Sequence, residues 1–254
     1  MMVASWNVNS IKVRLEQVLE WLDSAQPDVL GLQELKMQTE SFPVAAFEEL
    51  GYHCAIEGQK TYNGVALLSR HKPEEVTRGI PNFSDEQKRA IAATYKDRRV
   101  INLYIPNGQA VGSEKYNYKL NWLAALTNWI EQELAQHKNL IIMGDFNIAP
   151  DDRDVHDPNE WQGKILCSDA ERAALQKLLA LGLNDSFRLF DQPAKTFSWW
   201  DYRAAGFRRN RGMRIDLLLV SDALSNTTLA SRIDTEPRGH ERPSDHAPVW
   251  AELS

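Results

Sequence analysis

The sequence predicts an α/β protein in which two packed sheets flanked by helices form a single domain, residues 1–254. Three observations point there. The chain opens strand, helix, strand; a second cycle begun by a long helix mirrors that order; and no Pro/Gly/Ser-rich linker or low-complexity tract separates the two cycles. In the first cycle Leu15, Val18, Leu19 and Leu22 fall at helical spacing, Pro27 stops the run, and "DVLGLQE" reads as a mostly buried strand. "FPVAAFEELG" reads as a short helix closed by Gly51. "HCAIEGQK" and "GVALLSR" then meet around Asn63-Gly64, a dipeptide that favours a hairpin turn. Strands follow in "AIAATYK" and from Val100 to Ile105. In the second cycle Leu123, Leu126, Ile130 and Leu134 make one apolar stripe before "NLIIMGDFN". The helix "DAERAALQKLLALG" ends at Gly182, and "TFSWW", "MRIDLLLVS" and "APVWAEL" complete the strands.

Composition bounds the function. With 43% hydrophobic and 25% charged residues the chain has the make-up of a soluble globular protein. No stretch approaches the ~18 apolar residues of a membrane span, and the N-terminal residues lack a secretory profile, so a cytoplasmic protein is expected. Cys54 and Cys167 have no CxxC spacing and are expected as buried small hydrophobes. A net charge of −6 argues against a general polyanion binder. Local charge differs: "YRAAGFRRNRGMR" holds five arginines and no acid, whereas "DDRDVHDPNE" is mostly acidic. Taken alone, the two read as solvated loops on opposite sides of the domain.

Chemistry is expected where strands end, because the sheet beneath holds loop residues in place. Five apolar strands end in or carry polar residues: Asn7; Glu34; Tyr104 followed by Asn107; Asp145 and Asn147; and Asp216, with Asp245-His246 just before the final strand. Asp145 and Asn147, two apart, share one side of an extended chain. Asp216 lies inside a Leu-rich strand, where a carboxylate costs several kcal/mol unless paired; His246 is a suitable partner. Singly, each of these residues also fits a turn, a cap or a surface position. Together they suggest phosphoester hydrolysis. Glu34 with an amide or second acid suits Mg²⁺, while the scattered histidines do not suit zinc. Asp145 could deprotonate water, and Asn7, Asn147, Tyr104 and His246 could donate to phosphate oxygens.

The ordered set "WNVNS", "LQELK", "LYIPNG", "GDFNIAP", "GMRIDLLLVS" and "RPSDHAPVW" resembles the exonuclease III family of DNA-repair enzymes, within the endonuclease/exonuclease/phosphatase superfamily. The match runs in order from residue 3 to residue 252. The resemblance implies a four-layered α/β sandwich with the site at one edge. It also implies Mg²⁺, with Mn²⁺ as a substitute, at Glu34 with Asn7 and Asp245 close by. Asp145 would be the base, Asn147, Tyr104 and Asn107 would hold the scissile phosphate, and His246, oriented by Asp216, would donate to a phosphate oxygen. The arginine-rich loop would border duplex DNA carrying abasic sites, nicks or recessed 3′ ends. Trp199 would pack against the sugar or strand end, and Arg203, Arg208, Arg209 and Arg211 would contact phosphates. Trp200 is expected in the core, and the protein is expected to be a monomer with no membrane partner.

Three positions depart from the family pattern. Asn9 stands where some members have an acid, Asn107 where exonuclease III has glutamine, and Leu166 where many members that nick internal abasic sites have a small residue or glycine. A bulky Leu166 would obstruct a continuing strand and leave a 3′ end accessible, which favours 3′-end processing over internal incision. Two other readings stay open: a phosphoesterase acting on RNA or a small phosphoester, and a nucleic-acid-binding relative without catalysis. The arginine loop and Trp199 speak against the first, and the presence of Glu34, Asp145 and His246 against the second.

Overall fold

The computed structural model describes residues 1–254. The chain lays down β1 (Met2–Asn7), α1 (Ile11–Ala25), β2 (Val29–Gln33), α2 (Val44–Glu49), β3 (His53–Glu57) and β4 (Val65–Ser69). It continues through β5 (Glu74–Arg78), β6 (Ala90–Tyr95), β7 (Arg98–Tyr104), α3 (Glu114–Gln136) and β8 (Leu140–Asp145). Then come α4 (Pro158–Trp161), α5 (Asp169–Leu179) and β9 (Leu183–Asp185). A two-stranded ribbon of β10 (Trp199–Trp200) and β11 (Gly212–Met213) leads into β12 (Asp216–Ser221), β13 (Thr228–Ile233) and β14 (Val249–Leu253). Two six-stranded mixed sheets result, ordered β13-β14-β1-β2-β4-β3 and β5-β6-β7-β8-β12-β9. No helix is long and apolar enough to cross a membrane.

Period-2 alternation sorts the strand residues into layers. Ile142, Leu217 and Leu219 face Trp122, Leu126 and Ile130 of α3 and Leu175 and Leu178 of α5. Leu30, Leu32 and Leu68 face Val18 and Leu22 of α1 and Phe47 of α2. Between the sheets lie Val3, Val29, Leu67, Ile141, Met143, Leu218 and Val220. Helix, sheet, sheet and helix are thus the four layers expected. A polar link crosses the middle one: Gln33 Nε2 donates to Ser5 Oγ at 2.9 Å and to Asn102 Oδ1 at 2.6 Å, and Asn102 Nδ2 donates to the carbonyls of Leu32 and Ala66. Gly144 has φ 147°, and a Cβ there would lie 1.9 Å from the Leu103 carbonyl oxygen. Only glycine permits that approach of β8 to β7 immediately before Asp145.

Two details differ from expectation. β3 and β4 pair antiparallel from Glu57↔Val65, but the connection runs from residue 58 to 64 and Asn63-Gly64 lies at its far end. The left-handed backbone of Asn63 and Gly64 is used to dock the loop, since Gly64 accepts from the N–H of Leu35 and donates to the Lys88 carbonyl. The acidic and basic loops are not on opposite sides either. Arg214, the last arginine of the basic run, is buried and donates to Asp154 Oδ1 and Asp185 Oδ2, each at 2.7 Å, while Arg211 pairs with Glu160 at 2.7 Å. Removing one partner of a buried pair strands the other charge. Asp154→Ala is therefore expected to cost about 3–5 kcal/mol in urea unfolding; a loss below about 1 kcal/mol would mean that Asp185 alone satisfies Arg214. Cys54 and Cys167 are both free thiols, the first half-buried and the second buried.

Candidate active site

The alternation that fills the middle layer also builds the cleft at its edge. Ile141 and Met143 lead along one face of β8 to Asp145; Val220 and Leu218 lead back along β12 to Asp216. Register places Tyr104, Asp145 and Asp216 side by side on β7, β8 and β12. From the other sheet, Asn7 ends β1 and Glu34 follows β2. Asn7 bridges the sheets: its Nδ2 donates to Glu34 Oε1 at 3.0 Å and to Asp145 Oδ2 at 2.9 Å.

Asp145 is 1% exposed and accepts further bonds from the backbone N–H of Asn147 at 2.9 Å and from Asn147 Nδ2 at 3.1 Å. Burial pushes its carboxyl up to about 7, against the pull of nearby His246. His246 Nδ1 donates to Asp216 Oδ2 at 2.8 Å, and its Nε2 lies 3.8 Å from Asp145 Oδ2. Burial alone would lower the imidazole, but Asp216 and then Asp145 outweigh it and hold the ring up at about 10, so it carries charge at neutral pH. Burial, reinforced by Glu34 and Asp145, raises the Tyr104 phenol well above its ordinary range. It remains a neutral donor, bonded to Glu34 Oε1 at 2.9 Å. Asn107 Nδ2 donates to Asn147 Oδ1 at 3.1 Å.

The remaining expected residues fall into three places. Asp245 is not bonded to Glu34; its carboxylate accepts from Asn9 Nδ2 at 2.9 Å and from the Trp199 indole N–H at 3.0 Å. Trp199, half-buried, lines the cleft with Leu166, Ile215, Arg203, Asp145 and His246, whereas Trp200 is in the core. Arg203 pairs with Asp201, Arg211 with Glu160, and Arg208 and Arg209 are exposed without an ion pair. Leu166 is 4% exposed, packed on Met213 and Ile215, and sits in the left-handed region at φ 70°. Sequence reasoning missed Trp161 and Ile165, which line the same cleft, and Lys36, whose Nζ lies 3.0 Å from Glu34 Oε2 and also donates to Asn9 Oδ1. Nothing in the sequence marked Trp161. Lys36 stood in plain view two residues after Glu34.

A metal ion fits here. One ligand atom from each of Glu34, Asp145 and His246 lies within 4.8 Å of the others; the charged ring, bonded to Asp216, has no lone pair to give, so the carboxylates are the ligands on offer. The carboxylates outnumber the single imidazole, whose Nδ1 is committed to Asp216, so the donor set suits a hard, oxygen-preferring divalent ion.

Comparison with known proteins agrees with this geometry. The Endonuclease/Exonuclease/phosphatase family matches residues 4–246. Exodeoxyribonuclease III of Haemophilus influenzae is 41% identical over 98% of both chains. A solved 3′ phosphatase from Neisseria, bound to a product DNA hairpin, superposes with a TM-score of 0.98 at 49% identity, covering 100% of this chain and 99% of the other. An AP endonuclease from Archaeoglobus fulgidus gives 0.96 at 36% identity, covering 100% and 99%. By the family match over residues 4–246 and the likeness to exodeoxyribonuclease III along 98% of its length, the chain belongs to the endonuclease/exonuclease/phosphatase family, within its exonuclease III group.

Proposed function

We propose that the protein is a Mg²⁺-dependent DNA-repair phosphodiesterase, a monomeric single domain acting in the cytoplasm on duplex DNA. It works chiefly at 3′ ends as a 3′-to-5′ exonuclease, 3′-phosphatase and 3′-phosphodiesterase, and secondarily as an abasic-site endonuclease; Mn²⁺ substitutes for Mg²⁺. The observation that carries this reading is Asp145, buried at the seam of two sheets, its carboxylate held by Asn7 and Asn147, in a cleft that Tyr104, Asn107 and His246 also line. Held by Glu34 with Asn7 beside it and Asp245 nearby, Mg²⁺ would supply positive charge to the phosphate oxygens. Asp145 takes the proton of the attacking water. Asn147, Asn107 and Tyr104 hold the non-bridging oxygens, and His246, kept charged and oriented by Asp216, donates to the charge that builds at phosphorus. As the water oxygen bonds to phosphorus, the bond from phosphorus to the sugar 3′-oxygen breaks, and the departing oxygen takes a proton from solvent to become the 3′-OH.

Substrate choice rests on the cleft wall. Trp199 offers an aromatic face to the terminal sugar, and Leu166 with Ile165 closes the side along which an uninterrupted strand would continue. The DNA-bound 3′ phosphatase from Neisseria supports the preference for ends. The deciding experiment is Mg²⁺-dependent cleavage of duplexes carrying a nick with a 3′-phosphate, a recessed 3′-OH, or an internal abasic site. Removal of the 3′-phosphate faster than internal incision is expected. Leu166→Gly, which relieves the positive φ and removes the wall, should raise internal incision roughly 10-fold. Faster internal incision by the unaltered protein, unmoved by Leu166→Gly, would overturn the preference.

Arg208 and Arg209 are the two loop arginines without an acidic partner, so they are the ones free to neutralise phosphates. Replacing both with Ala should reduce the slope of log affinity against log salt by about 2, with no change in the kcat of bound substrate. An unchanged slope would remove them from the DNA face.

A further inference from the structure

Behind the cleft, one buried ion pair touches each loop that lines its phosphate side. Lys119 and Glu171 have no solvent exposure. Lys119 enters from α3, in line with the buried stripe of Tyr116, Trp122 and Leu123. Its Nζ donates to Glu171 Oε1, to the Asn147 carbonyl at 2.6 Å and to the Asn107 carbonyl at 3.1 Å, so all three ammonium protons are used. Glu171, in the first turn of α5, accepts through Oε2 from the N–H and the hydroxyl of Ser168, and through Oε1 from the N–H of Leu166 at 3.1 Å.

Neither charge lines the cleft, and the chemistry uses neither. Burying two charges is costly, and their mutual attraction by itself only roughly offsets that cost. What an apolar pair could not do is grip two carbonyls and a loop N–H at once. Two of the gripped residues need gripping: Asn147 at φ 50° and Leu166 at φ 70° both stand in the left-handed region, which holds only while the surroundings enforce it. The loops are also in contact, since a Cβ on Gly108 would lie 3.0 Å from Ile165 Cδ1 and 3.1 Å from Lys119 Cδ.

We propose that Lys119 and Glu171 are positioning residues that lock the phosphate-holding amides Asn107 and Asn147 and the Leu166 loop into one unit, so that phosphate alignment and preference for a strand end are set together. This rests on the phosphodiesterase reading above. Without the pair, Asn147 and Leu166 relax toward negative φ, the amides swing off the phosphate, and the wall against a continuing strand loosens.

The test replaces both partners, Lys119→Met with Glu171→Leu, and measures melting temperature, steady-state release of 3′-phosphate at a nick, and internal abasic-site incision. The double variant should stay folded but melt lower than the unaltered protein, because the carbonyls of Asn107 and Asn147 and the N–H groups of Leu166 and Ser168 lose their partners; activities are therefore compared per folded protein, well below its melting temperature. Its kcat for 3′-phosphate release should fall about 100-fold while KM changes little, since a misplacement of about 1 Å has that effect. The ratio of internal incision to end processing should rise roughly 10-fold as the loop is freed. A folded double variant with kcat and ratio unchanged, or a parallel fall in both activities that merely tracks loss of folded protein, would overturn the proposal. If the double variant does not fold, Glu171→Gln, which keeps the volume and weakens the grip, must still shift the ratio in the same direction; an unshifted ratio counts against the pair. An unaltered protein inactive on every duplex would sink the substrate reading and this inference with it, whereas an active one with unresponsive variants would sink this inference alone.

Discussion

Asp145→Asn is expected to lower the rate of 3′-phosphate release by about 10⁴-fold, at the upper end of what a general base contributes, while leaving the protein folded. Asparagine keeps an oxygen for the Asn147 N–H that bonds Asp145 Oδ1, but it places an NH₂ where Oδ2 accepts from Asn7 and it cannot take a proton from water. Stability should move the other way. Burial raises the Asp145 carboxyl from 3.8 to about 7, so its stabilising, protonated form is fully present below the unfolded value and is lost as pH rises through about 7. Asparagine mimics the protonated form at every pH. In chelator, the melting temperature of the variant minus that of the unaltered protein should therefore grow between pH 4 and pH 8. Full activity of Asp145→Asn would remove this residue as the base; a flat difference in melting temperature would mean that the buried carboxylate carries no cost.

His246→Gln should reduce kcat by about 10²–10³-fold, the effect of losing one preorganised donor to a developing charge. It should also destabilise the protein, because Asp216 is 2% exposed and would lose the imidazolium that both its oxygens contact. The pH dependence gives the sign. Against the opposing effect of burial, Asp216 raises the folded His246 from 6.5 to about 10, so the pair's stabilisation is complete below pH 6.5 and is lost as pH rises through about 10. The unaltered, metal-free protein should lose this margin between pH 7 and pH 10, and His246→Gln should show no such loss from this source. If the two proteins lost stability in parallel over that range, His246 would be neutral in the fold.

How much of this was legible depends on how local the signal was. The path of β8 could be read directly: Ile141, Met143 and Asp145 alternate with Leu140 and Ile142, and the same rule carries Leu218 to Asp216. The layers follow from such alternation, and so does the coming together of Tyr104, Asp145 and Asp216. Edge strands were harder. β5, β9 and β13 are short or partly exposed, so no apolar run marks them. Asn63-Gly64 misled because a left-handed dipeptide serves docking as well as turning. Arg214 looked like its neighbours in a basic run, yet Asp154 and Asp185 draw it inward from distant parts of the chain. Asp245 is next to His246 in sequence, but the bridge between Trp199 and His246 turns it toward Asn9 and the indole instead. Lys119 left a trace: a lysine in step with Tyr116, Trp122, Leu123 and Leu126 is a charge on a buried stripe.

The strand order of the first sheet sets when the cleft can exist during synthesis. β14 lies between β13 and β1, and the turn that precedes it carries Asp245 and His246. Glu34, Asn7 and Asp145 leave the ribosome long before His246, but the place beside β1 stays empty until β14 arrives. A growing chain therefore carries Glu34, Asn7 and Asp145 without His246 beside them, and the cleft is whole only once β14 has docked on β1.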